Sequence, residues 1–107
     1  KRSAIESLEA ILAVDGVDMV QFGPADYSMS IGVPGQWKHP EVEAAHTTMI
    51  ETAIKMGVRP RVELWDAEQA EPYLDMGVKD FCIGWDVFTV YNFCKTQGEA
   101  LGKLLGK

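Results

Sequence analysis

Apolar positions in this chain change period as the sequence proceeds. Ile5, Leu8, Ile11 and Leu12 recur at helical spacing and predict a first helix from Ala4 to about Val14. Ser3 and Glu6 stand in S-x-x-E order at its start, as in a capping box. Val42, Ala45, Met49 and Ala53 share one side of a second predicted helix, from about Pro40 to Met56. Pro40 suits a first helical turn, where a missing N–H costs nothing, and Gly57 is its expected stop. A third predicted helix, about Ala67 to Met76, has Asp66 and Gln69 as a capping pair and Gly77 as its stop. Pro72 within it predicts a kink or a late start. A fourth begins near Val87 and is open to continuation past Gln97-Gly98 as far as Leu105.

Between these segments lie short apolar-rich runs, Met19–Phe22, Arg61–Leu64 and Phe81–Ile83, predicted as strands. The units form a weak internal repeat: "DGVDMVQFGPAD", "MGVRPRVELWD" and "MGVKDFCIGWD" each carry Gly-Val, an apolar-rich run and an Asp. Strands alternating with helices imply right-handed crossovers and a parallel sheet. Three strands alone leave both outer edges unpaired, whereas parallel sheets are normally covered on both faces. The pattern therefore predicts an incomplete α/β fold, either an open three-layer sheet or part of a (β/α)8 barrel.

Composition narrows the function classes. At 107 residues, 47% hydrophobic and 24% charged, the chain is an ordinary globular domain in size and make-up. The net charge is -6 and the Lys and Arg residues form no basic run, which argues against nucleic acid as a partner. Cys82 and Cys94 belong to no C-x-x-C or Cys/His cluster and read as reduced thiols of a cytoplasmic protein. No apolar stretch approaches the roughly 18 residues of a membrane helix, and no signal peptide is visible. The first residue is Lys1 rather than Met, so the sequence is open to being a piece of a longer polypeptide.

In either fold, ligands sit at the carboxyl ends of the strands. Those ends are Gly23–Ser28, Trp65-Asp66 and Gly84–Asp86. Asp66 and Asp86 each precede a predicted helix and read as caps. Asp26 differs, because no helical pattern follows it until His39-Pro40. It heads a loop of about a dozen residues, longer than the usual roughly 2–6. Its role stands open between a ligand or metal residue and a turn-forming Asx residue. Gly23 permits close approach of a ligand to the backbone, and Pro24 stiffens that approach. Arg61 and Glu63, two apart on a strand, share a face opposite Val62 and Leu64. Inside a barrel they need a mutual ion pair or a ligand. His39 reads as a cap or loop residue, and His46 as packed or solvated. Trp37 is a candidate lid or anchor, and Trp65 and Trp85 are candidate pocket walls. Phe88, Tyr91 and Phe93 are expected to pack. No P-loop, dinucleotide-binding glycine pattern, nucleophile elbow or zinc motif occurs.

The segment "GVDMVQFGPADYSMSIGVPGQWKHPEVEAA" resembles the carboxyl-terminal part of the HpcH/HpaI aldolase family. These are metal-dependent (class II) pyruvate aldolases of the phosphoenolpyruvate/pyruvate barrel superfamily. The G-P-A-D-x-S block, the S-x-G-x-P-G-Q loop and the H-P-E-V helix start occur in order. "MGVKDFCIGWDV" resembles the last barrel strand, and the resemblance runs over essentially the whole chain. It implies that residues 1–107 form one partial-barrel domain, about strands six to eight of a (β/α)8 TIM barrel with their helices, within a longer chain.

It further implies that Asp26 binds a divalent metal, Mg2+ or Mn2+. Backbone groups of Gly23, Pro24, Ala25 and Asp26 would then receive the pyruvate carboxylate, with Glu63 beside that pocket. The implied reaction is reversible cleavage of 4-hydroxy-2-oxoacids to pyruvate and an aldehyde, with the metal stabilising the enolate as a Lewis acid. The family's second metal ligand, a glutamate, aligns immediately before Lys1, and its catalytic arginine and histidine lie further upstream. The 107 residues alone are therefore expected to be inactive. Arg61 and Glu63 stand where small or apolar residues are expected, and Tyr27 where Leu is commoner. The alternatives are an acyl-CoA-type lyase of the same superfamily and a non-catalytic half-barrel that assembles with another chain. The resemblance also implies a homo-oligomer in which the last helix packs on a neighbour.

Overall fold

A computed structural model describes all 107 residues. Its strands are β1 (Met19–Gln21), β2 (Arg59–Leu64) and β3 (Asp80–Ile83), and they form one parallel sheet in the order β1-β2-β3. Met19 pairs with Arg59 and Gln21 with Arg61, while Arg61 also pairs with Asp80 and Leu64 with Ile83. The strands alternate with helices, as the sequence repeat implies.

The amino-terminal helix is two short ones, α1 (Arg2–Glu6) and α2 (Leu8–Leu12), which meet at Ser7. The expected Ser3–Glu6 capping box does not form. The helix starts two residues before its expected Ala4, with Lys1 at the N-cap position and no side-chain cap bond. Tertiary contacts hold this start instead. The Arg2 backbone N–H donates to Ser30 Oγ at 2.9 Å, and its guanidinium pairs with Glu41 at 2.6 Å. Leu8 and Leu12 are buried, and Ile5 packs beside them.

Helix α4 (Pro40–Lys55) buries Val42, Ala45, Met49, Ile50 and Ala53 in one cluster with Val62 and Leu64 of β2. His39 caps it, Nδ1 accepting from the Glu41 N–H at 3.3 Å. Gly57, at φ +74, turns the chain out of the helix in the left-handed conformation that favours glycine. After β2 a 3-10 turn (Ala67–Ala70) leads into α5 (Glu71–Asp75). Pro72 lies in the first turn of α5, so the late start is the outcome and no kink is needed.

Alternation along the strands gives the sheet two unlike faces. Pro60, Val62 and Leu64 are buried on one side. Gln21, Arg61, Glu63 and Cys82 lie on the other by register, and no helix of the chain covers them. Asp80 shares that face and pairs with Arg59. Helix α6 (Asp86–Leu104) runs unbroken through Gly98 and buries no residue. Phe88 meets Trp65 and Trp85, but Tyr91 and Phe93 stay 59% and 67% exposed, contrary to the expected packing. The sheet ends at β3, so the chain places nothing opposite the far half of α6.

Candidate active site

The carboxyl ends of the strands open onto a cavity of about 350 Å³. Gly23, Pro24, Ala25, Asp26 and Glu63, all expected site residues, line it together. Behind Gly23 the chain does not run as a loop. Pro24–Ser30 form a helix, α3, with Gly23 at its N-cap and Pro24 in its first turn. The expectation that no helix follows Asp26 is thus corrected. Seven residues are too few to show a helical apolar period, and Pro24 after Gly23 was the one local signal of a start. Asp26 sits in the first turn, where a carboxylate is favoured by the helix dipole.

The Asp26 carboxylate folds back over Gly23. A Cβ at position 23 would stand 3.1 Å from Asp26 Oδ2. Asp26 is solvent-exposed, and its carboxylate accepts no hydrogen bond from the chain, so both oxygens are available to a ligand. Ser28, the last residue of the G-P-A-D-x-S block, has a structural role. It is fully buried, its Oγ donates to the Ala25 carbonyl at 2.9 Å, and its own carbonyl accepts the Val33 N–H at 2.9 Å. The following loop returns Trp37 to the cavity.

Trp65 and Trp85 form the wall from the other strand ends, their ring centroids 5.7 Å apart, with Phe88 closing a three-ring group. Asp66 is the cap its spacing implied, Oδ1 accepting from the Gln69 N–H at 3.2 Å. Gln69 in turn accepts from the Trp65 N–H at 3.0 Å, which fixes the wall to the turn behind it. Asp86 is not the cap expected of it. Trp85 holds the N-cap position, and Asp86, first in the helix, accepts from the Val87 N–H at 2.8 Å.

His46 forms part of the cavity lining from α4. Its ring stacks on Phe22 at 4.9 Å and tilts against Tyr73 at 5.4 Å. Burial lowers its pKa, so the neutral imidazole is the favoured form. Burial first, and then the Glu43 charge, raises that of Tyr73.

Arg61 and Glu63 do not make the mutual ion pair. Gln21, on the neighbouring strand, stands between them. Arg61 Nε donates to Gln21 Oε1 at 2.5 Å, and Gln21 Nε2 donates to Glu63 Oε2 at 3.3 Å. Sequence reading missed Gln21. The available signal was an amide in the otherwise apolar run "MVQF".

The residues present do not make a metal site by themselves. No group of three His, Cys, Asp or Glu is arranged to hold an ion, and the cavity offers only Asp26 and Glu63 as carboxylates. Nor does any helix have the length and apolar character to cross a membrane.

Similarity to known proteins agrees with this geometry. The chain is 41% identical over 90 residues to a hydroxypyruvate/pyruvate aldolase of Cupriavidus necator, covering 84% of this chain and 34% of that protein. It is 39% identical over 85 residues to a 4-hydroxy-2-oxo-heptane-1,7-dioate aldolase of Klebsiella pneumoniae, covering 79% and 32%. The chain thus spans about a third of the length of these curated relatives. Among solved structures, an HpcH/HpaI aldolase from Desulfitobacterium hafniense superposes with a TM-score of 0.84 at 29% identity, covering 92% of this chain and 39% of that one. The citrate synthase SbnG shares the fold, with a TM-score of 0.93 at 21% identity over 100% of this chain and 44% of that one. The family model for HpcH/HpaI aldolase/citrate lyase matches residues 2–92, and the chain belongs to that family.

Proposed function

We propose that this chain is the carboxyl-terminal portion of a (β/α)8 barrel, about strands six to eight. The whole protein would be a metal-dependent aldolase that reversibly cleaves 4-hydroxy-2-oxoacids to pyruvate and an aldehyde. The observation that carries the reading is Asp26. Its unpartnered carboxylate lies over Gly23, at the carboxyl end of β1, in a cavity that two other strand ends wall with tryptophan. The barrel is supported by the sheet itself. One face is polar and uncovered, and both edge strands lack partners, as they would with five further strands still to join.

In the addition direction, a proton leaves the pyruvate methyl group and the new C–C bond forms from that carbon to the aldehyde carbon. The aldehyde oxygen takes up a proton. This chain's part is to bind and orient. The ketoacid carboxylate is received at Gly23–Asp26, where the first-turn N–H groups of α3 have no intrahelical partners. Trp37, Trp65 and Trp85 shield the reacting carbons from water. Asp26 supplies one hard oxygen ligand to a Mg2+ or Mn2+ ion. The remaining ligands, and the acid–base groups, would come from residues other than these 107.

The exposed apolar side chains of α6, among them Val90, Tyr91, Phe93 and Leu101, suit burial against another copy of the protein. We therefore propose a homo-oligomer. The free thiols Cys82 and Cys94 suit the cytoplasm. The same exposed edges favour one second reading, a half-barrel without catalysis that completes itself on a partner chain. Mn2+ titration of the natural-length protein, with and without pyruvate, separates the two. The aldolase reading expects pyruvate to tighten Mn2+ binding and Asp26→Asn to abolish that effect. Binding that ignores both pyruvate and Asp26→Asn contradicts it.

A further inference from the structure

Helix α3 carries Asp26, and at seven residues it is too short to hold its own shape in water. Its pose is set by what grips it. At its start Phe22 and Tyr27 occupy the N′ and N4 positions around the Gly23 cap, their ring centroids 5.4 Å apart, as in a hydrophobic staple. Asp26 falls at N3, the position from which a capping-box carboxylate accepts the N-cap N–H, yet it makes no such bond. At the end of α3 the hold comes from outside. Ser30 Oγ accepts the Arg2 backbone N–H at 2.9 Å and donates to the Tyr27 carbonyl at 2.7 Å. The Arg2 guanidinium meets Glu41, in the first turn of α4, at 2.6 Å. Glu41 first, and the Tyr27 hydroxyl after it, raise the Arg2 pKa, so the guanidinium faces α3 as well as α4. Arg2 thus joins α1, α3 and α4 at one point. Lys1 beside it lines a small cavity with Gln21, Phe22 and Gly23, at the carboxyl end of β1.

We propose that the clamp of Arg2, Ser30 and Glu41 is a positioning device for Asp26, setting how its carboxylate stands toward a divalent cation. The inference rests on the reading of Asp26 as a metal ligand. The carboxylate takes no direction from a cap bond of its own helix, so its direction follows the tilt of α3. The staple fixes the start of that helix, and the clamp fixes its end against two others. In the longer chain of the proposed barrel, the residues leading into Lys1 would arrive beside Gly23, so the clamp would also hold that incoming segment in register with Asp26. Exposed ion pairs contribute little to stability, so removing the half-exposed Arg2–Glu41 pair is expected to disturb geometry more than folding.

The test titrates Mn2+ into the natural-length protein in the presence of pyruvate. Ser30→Ala removes the bond from Arg2 to α3, and Arg2→Met removes the guanidinium. Each is expected to weaken Mn2+ binding about tenfold, the low end for groups that support a metal ligand, with the urea midpoint nearly unmoved. Lys55→Met breaks another exposed ion pair of α4, with Glu9 of α2 at 3.8 Å, and is expected to bind Mn2+ as wild type does. A merely structural role would lower the fraction of protein that binds, not the affinity of the fraction that does. Unchanged affinity in either clamp variant overturns the proposal, and so does an equal loss in Lys55→Met. Should Ser30→Ala fail to fold, Arg2→Met decides alone. Wild type and Asp26→Asn keep the two readings apart. If pyruvate tightens Mn2+ binding to wild type and Asp26→Asn abolishes that effect, while the clamp variants bind normally, only this inference fails. If wild type shows no such effect, the aldolase reading fails and the clamp with it.

Discussion

Gly23→Ala is expected to separate folding from function. The native backbone at Gly23, φ -104 and ψ 94, is open to any residue, so alanine introduces no dihedral strain there. Restricting the unfolded chain contributes about 0.4–1 kcal/mol of stability. Alanine is a poorer N-cap than glycine, which costs up to about 1 kcal/mol. The two nearly cancel, and stability should change by less than about 1 kcal/mol. The new methyl carbon, however, would stand 3.1 Å from Asp26 Oδ2, inside ordinary contact distance. The carboxylate must move by a few tenths of an ångström. Positioning errors of about 1 Å can cost roughly a hundredfold in rate, so this smaller shift is expected to cost about tenfold. Urea melts of the natural-length variant report the first quantity, and NMR of pyruvate methyl deuteration reports the second. Unchanged exchange would show that the Asp26–Gly23 contact does not set the site. A stability loss beyond about 3 kcal/mol would show that Gly23 serves the fold.

Other expectations follow from the same structure. Because burial depresses the His46 pKa, its contribution to stability is complete above the unfolded value near 6.5 and is lost as pH falls through 6.5 toward the folded value. Urea melts at about pH 8 and about pH 5.5 should show that decline, and His46→Phe should reduce it. Asp66→Ala removes the bond to the Gln69 N–H and should cost about 1 kcal/mol, read as a lower urea midpoint at unchanged slope. Phe93→Glu places a charge on the exposed apolar face of α6 and should shift sedimentation toward smaller species. An unchanged distribution would remove α6 from the proposed oligomer contact.

The parts of the fold set by periodicity were legible. The α4 stripe from Val42 to Ala53 and the glycine stops at Gly57 and Gly77 are where the spacing put them. Asp66 is a cap for the same local reason. What was not legible depends on contacts distant in sequence. The Ser3–Glu6 box gave way to a start held by Ser30 and Glu41, 28 and 39 residues from Arg2. Helix α3 was too short to show a period, so Asp26 looked like a loop residue when it is a first-turn residue. Arg61 and Glu63 were rightly placed on one face. Their connection through Gln21 needed the strand register, 40 residues away from Arg61. The packing expected of Tyr91 and Phe93 required a surface that this chain does not contain.

The most direct test of the central claim is the exchange of pyruvate methyl protons by the natural-length protein, with and without Mg2+ or Mn2+, compared with Asp26→Asn. Metal-dependent exchange that disappears in Asp26→Asn, at unchanged melting temperature, is the predicted result. Exchange that persists in Asp26→Asn would contradict the assignment of Asp26 as a metal ligand. Absence of exchange in the wild-type protein under every metal condition would contradict the aldolase reading itself.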